Sequence, residues 1–163
     1  MPATYEPIAS VALASTSSYD FTSIPGTYTD LVLVFHGTCA GNDTIAVRFN
    51  SDTGSNYSNT FVYGTGSAAG SGRDSSITQV RIARPYTGST NAQFSFVASV
   101  MSYANTNVFK TFLSASADPG AEVSRVVGLW RSTSAITSIT VKSAGGSNNL
   151  SNGQITLYGV KAA

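Results

Sequence analysis

The segment Leu31-Val32-Leu33-Val34-Phe35-His36 is a continuous run of apolar, β-favouring side chains. Its six residues are too few for a buried helix and right for a strand. It is entered through the turn Ile24-Pro25-Gly26-Thr27 and closed by Gly37, which predicts a central strand buried on both faces. Runs of this kind recur along the chain. Segment 44–49 alternates, with Ile45, Val47 and Phe49 on one side and Ala46 and Arg48 on the other, the period of a half-buried strand. Segment 93–101 alternates through Phe94, Phe96, Ala98 and Val100, and after Asn105-Thr106-Asn107 the chain returns over 108–115, which predicts an antiparallel hairpin. Segments 123–130, 135–142 and 154–160 supply three more strands, the last two with imperfect periods that imply bulges. Weaker strands are predicted at 8–13, 19–21, 60–63 and 77–82.

Between these runs lie Gly, Ser, Thr and Asn, residues of turns and hydroxyl-rich strand faces. Only 10% of the 163 residues are charged while 42% are apolar, against about 25% charged in an ordinary soluble domain. Eight to ten short strands with no amphipathic helix predict one all-β domain over residues 1–163, an antiparallel β-sandwich of jelly-roll-like form. The stretch 64–76, Gly-Thr-Gly-Ser-Ala-Ala-Gly-Ser-Gly-Arg-Asp-Ser-Ser, has almost no side chain to bury and is predicted to be a flexible exposed loop.

The net charge is +1 and the nine basic residues are scattered, so no stripe can follow a phosphate backbone and nucleic acid is not an expected partner. A single cysteine, Cys39, rules out an internal disulfide framework. No stretch approaches the ~20 apolar residues of a membrane helix, and the N-terminal residues lack the pattern of a secretory leader. The expectation is a protein made in the cytoplasm with no membrane partner.

Few residues suit chemistry. His36 ends the most apolar strand and reads as a strand-end residue rather than a base. Cys39 is three positions away, but no nucleophile elbow or orienting carboxylate accompanies the pair. A zinc site lacks ligands, and no two of the eight carboxylates are singled out as a glycosidase pair. Asn50-Ser51-Asp52-Thr53-Gly54-Ser55-Asn56 has the spacing of a calcium loop without its acidic first ligand or terminal glutamate, and reads better as an Asx-rich turn. Tyr57, Tyr63, Tyr86 and Tyr103 lie beside turns, where aromatics hold sugars in some sandwiches; packing in the core or at a sheet edge is the favoured reading. No enzyme activity, metal or cofactor is therefore expected.

The strings from Ser23-Ile24-Pro25-Gly26-Thr27-Tyr28 to Val34, Val47-Arg48-Phe49-Asn50-Ser51-Asp52-Thr53-Gly54-Ser55-Asn56-Tyr57-Ser58, Trp130 before Ala135-Ile136-Thr137-Ser138-Ile139, and Ile155-Thr156-Leu157-Tyr158-Gly159-Val160 carry a resemblance spanning nearly the whole chain. In that order they resemble small virion structural proteins of tailed bacteriophages and prophages, of the capsid decoration (cement) or tail-fibre type. The resemblance implies a β-sandwich on the outer surface of the virion, with no catalytic residues. Its expected partners are the major capsid protein and itself as a homotrimer. A host-surface glycan is a partner only under the alternative, a tail-fibre or tailspike module. Phe109, Phe112 and Trp130 are the candidate residues for the contact between subunits.

Overall fold

The computed structural model describes residues 4–41, 43–83, 92–120 and 122–161. They form twelve strands: β1 (Tyr5–Thr16), β2 (Ser18–Phe21), β3 (Asp30–Cys39), β4 (Ile45–Phe49), β5 (Tyr57–Gly64), β6 (Ala69–Ile77), β7 (Val80–Ala83), β8 (Ala92–Val100), β9 (Lys110–Asp118), β10 (Glu122–Trp130), β11 (Ile139–Ser143) and β12 (Leu150–Val160). All pairings are antiparallel. One sheet has eight strands in the order β1-β12-β3-β8-β9-β10-β5-β6, and the other has four in the order β2-β11-β4-β7. The protein is an all-β sandwich whose sheets are unequal, eight strands facing four, rather than two sheets of four.

The core lies between the two sheets. On β3 the odd positions Leu31, Leu33, Phe35 and Cys39 are buried, and Phe96, Ala98 and Val100 of β8 continue the same face. Ile45, Val47 and Phe49 of β4 and Ile139 and Val141 of β11 meet them from the small sheet. β3 is therefore interior to its sheet but buried on one face only. Val32 and Val34 remain half-exposed on the other, because no layer packs there among the described residues.

The sheets approach closely where β7 crosses β9 and β10. A Cβ on Gly128 would stand 2.5 Å from Cγ1 of the buried Val80, and the Ser114 hydroxyl donates to the Ile82 carbonyl at 2.8 Å. Only the absence of a side chain at Gly128 lets the two backbones come together.

Two further expectations are corrected. Segment 64–76 is not a flexible loop: β6 occupies most of it as an edge strand paired to β5, joined by a short turn in which the Thr65 amide donates to the Ala68 carbonyl at 2.8 Å. Its inward glycines are covered by neighbours, Gly70 by the Tyr63 ring and Gly72 by the Phe61 ring, so aromatic rings on β5 supply the apolar area that β6 lacks. Segment 135–142 is a strand only from Ile139. Residues 135–138 are instead bound to Asn50, whose Nδ2 donates to the Ala135 carbonyl at 2.7 Å and whose Oδ1 accepts the amides of Thr137 at 2.8 Å and Ser138 at 3.1 Å. An apolar period alone does not distinguish backbone satisfied by a ladder from backbone satisfied by a side chain.

Candidate functional site

The residues considered for chemistry are separated by the fold. His36 and Cys39 are an odd number of positions apart on β3, so they point to opposite faces. His36 is exposed on the outer face and Cys39 is buried in the core. Burial, with Asp43 nearby, pushes the Cys39 thiol up to about 11, where it is not a thiolate at neutral pH.

The 50–56 segment is a turn. Asn50 and Ser51 both have positive φ, 51° and 56°, and the Asp52 amide donates to the Phe49 carbonyl at 2.9 Å, the geometry of a type I′ turn. The Asp52 carboxylate is occupied by protein donors: the Gly54 amide at 2.8 Å, Asn56 Nδ2 at 2.9 Å and Trp130 Nε1 at 2.7 Å. Asp43 does a similar job at the β11–β12 turn, accepting from the Ser143 hydroxyl and the amides of Gly145 and Thr44. Among the described residues no group of three or more His, Cys, Asp or Glu side chains is placed to hold a metal ion.

Of the tyrosines, Tyr57 and Tyr103 are fully buried. The Tyr57 hydroxyl accepts the Phe49 amide at 3.1 Å, and burial pushes its pKa up to about 12. Tyr103 bonds the Pro25 carbonyl. Tyr63 is half-buried over Gly70, and Tyr86 lies outside the described residues.

The three residues expected at a subunit contact part company as well. Phe112 is 1% and Trp130 2% exposed. Both belong to an aromatic cluster in which Trp130 stacks on Tyr57 at 6.2 Å between centroids and Phe49 lies 5.6 Å from Trp130 and 6.4 Å from Phe112. Rings consumed by the core of one chain have no face left for a second. Phe109 is 51% exposed on the β8–β9 connection, alongside exposed Met101 and Val108.

The surface that stands out is the outer face of the eight-stranded sheet. The register places Ser10, Thr156, Val34, Val97, Ala115, Arg125, Val62 and Ser71 in one row across all eight strands. The row on one side of it carries Val32, Ser99, Leu113, Val127 and Thr60, and the row on the other carries His36, Ser95, Ala117 and Val123. Val62, Val97, Val123 and Val127 are about half or more exposed, Val123 at 62%. The middle of the face is a shallow hollow of about 620 Å³, floored by Ala115 and Ala117 and walled by valines, with Arg125 beside it. Leaving such side chains in water forgoes roughly 1.5–3 kcal/mol each relative to burying them. A contiguous patch of this kind differs from the single scattered apolar residues that are ordinary on a protein surface.

The sequence signal for this face lies in the parity of the valines rather than in the size of the side chains. On β10, Val123 and Val127 point outward while Ser124 and Gly128 point in beside the buried Val126 and Trp130, so apolar side chains lie on both faces of the strand. No known protein-family model matches the chain, and comparison with curated proteins finds no significant match.

Proposed function

We propose that this chain is a structural protein of the tailed-bacteriophage virion, a capsid decoration (cement) protein that binds the assembled shell from outside. The observation that carries the reading is where the exposed apolar side chains lie. They occupy the outer face of the large sheet and the β8–β9 connection with Met101, Val108 and Phe109, surfaces suited to other proteins rather than to a small substrate. The separation of His36 from Cys39 and the occupied Asp52 carboxylate support a structural role over a catalytic one. The resemblance of the four sequence strings to small virion proteins supplies the particle.

A protein that binds only the assembled shell stabilises it by mass action. Linking copies makes later contacts effectively intramolecular, so each contact can be weak. On this reading the major capsid protein is the partner, and the β8–β9 connection is the part that touches it. Quantitative mass spectrometry or immunogold labelling of purified particles tests this. A copy number comparable with that of the capsid subunit supports decoration; one matching the few symmetric positions of the tail would assign the chain to a tail-fibre module.

A further inference from the structure

We propose that the outer face of the eight-stranded sheet is the seam of a twofold homodimer in which the same face of a second copy covers it, with the axis running along β9. This concerns the purified protein and stands whether or not the particle role does.

Area is the first argument. Strands lie ~4.8 Å apart and outward side chains recur every ~6.8 Å along each, so three rows across the seven strands that an axis along β9 pairs give a footprint of about 700 Å², within the range of one side of a standard stable interface.

Complementarity is the second, and it comes from the register. β8 and β10 flank β9 symmetrically, so a twofold along β9 lays β8 of one copy over β10 of the other. Row by row, Ser95 then meets Val123, and Ser99 meets Val127, small residues against large ones, which lets two faces interdigitate. On the axis itself Ala115 and Ala117 each meet their own copy, where small side chains permit close approach, and Leu113 meets its own copy at one end of the seam. Val97 meets Arg125, whose aliphatic stem lies along the valine while the guanidinium reaches out to the edge. Charge is the third argument: the three central strands carry only Arg125 on these rows, and the axis sets the two guanidiniums on opposite sides of β9. An isologous contact of this form closes at two copies, in place of the threefold that the resemblance implies.

Sedimentation equilibrium on the whole chain tests the proposal. The 16.9 kDa protein is expected to run at twice its mass at tens of micromolar, and a monomer or trimer would overturn the dimer. Val97→Arg places two like charges opposite each other across the seam and is expected to weaken dimerisation by at least about a hundredfold, since like charges juxtaposed at an interface cost several kcal/mol. Val97→Glu faces Arg125 and is expected to stay dimeric. Equal behaviour of the two would overturn the register. Should either variant fail to fold, Ala115→Cys in a Cys39→Ala background provides an independent reading: a short bis-maleimide should link the two axial thiols into a dimer, and failure to cross-link would overturn the axis along β9.

Discussion

The indole Nε1 of Trp130 donates a 2.7 Å hydrogen bond to the Asp52 carboxylate, and that bond joins the end of β10 in the large sheet to the turn that leaves β4 in the small one. The ring beneath it stacks on Tyr57 and packs on Phe49. A hydrogen bond to a charged group contributes about 1.5–3 kcal/mol. Asp52→Ala is therefore expected to lower the urea midpoint by an amount equivalent to about that much. Trp130 is the single tryptophan, so its emission reports unfolding directly in the same titration.

The same bond makes stability fall in acid. Asp52 is held below its ordinary value of 3.8 by the Trp130 indole first and Asn56 second, against an opposing effect of burial that is larger than the help from the Gly54 amide. For Asp43 burial is the largest single effect and would raise the pKa, but the Ser143 hydroxyl, the amides of Gly145 and Thr44 and the Asn148 side chain together outweigh it. Both folded-state values lie below the unfolded one, so the unfolded chain binds protons more readily. The stabilisation is complete above the unfolded pKa and is lost as pH falls through the folded values. Urea midpoints measured from pH 7 down to pH 2 are expected to drop below about pH 4. Asp52→Asn should show a shallower drop than the parent; an unchanged profile would count against Asp52 as a contributor.

A third expectation concerns Gly153. Asn152 has φ 54° and the β12–β3 register slips between Ser151 and Gln154, a bulge. A Cβ at Gly153 would lie 1.9 Å from the His36 carbonyl oxygen, backbone that cannot move aside as a side chain could. Gly153→Ala is expected to cost more than about 2 kcal/mol, at the upper end of ordinary single substitutions. Gly26→Ala, where nothing lies within 4 Å, is the control and should be neutral within about 0.5 kcal/mol. Thermal melts of the pair separate close approach from any general intolerance of added methyl groups.

Why some of this was legible in the sequence and some was not has a physical answer in particular strands. β3, the β8–β9 hairpin and β10 announce themselves because their own side chains supply the buried area. β6 does not: its inward positions are Gly70 and Gly72, and the area over them belongs to Tyr63 and Phe61 on β5, so a strand-by-strand reading of 64–76 finds nothing to bury. Residues 135–138 mislead in the opposite sense, since Ile136 is buried but the backbone beside it answers to Asn50. Large aromatics do not mark the exposed apolar face. Phe112 and Trp130 are claimed by the core, and the uncovered surface is built of valines whose outward parity on β10 is fixed by the need of Gly128 to meet Val80.

Lys110 leads to the last expectation. It is fully buried on β9, and its ammonium donates to three backbone carbonyls, those of Asn105 at 2.6 Å, Val108 at 2.8 Å and Thr133 at 3.1 Å. Three donors meet three acceptors, so the amine is fully satisfied. Two opposing effects follow from replacing it with methionine, which has similar length and no charge. Removing a buried cation relieves a desolvation penalty of several kcal/mol. Against that, three carbonyls lose their donor, each bond to a charged group being worth about 1.5–3 kcal/mol, and the connection bearing Asn105 and Val108 loses its tether to the 131–138 segment. The summed bonds exceed the penalty, because the carbonyls already provide the oxygen shell that water would. Lys110→Met is therefore expected to destabilise the fold, and to do so locally first. Amide hydrogen exchange should quicken at residues 103–109 before the β8 and β9 ladders are affected. Uniform loss of protection across the sheet, or a variant more stable than the parent, would mean that the buried charge costs more than its three bonds return.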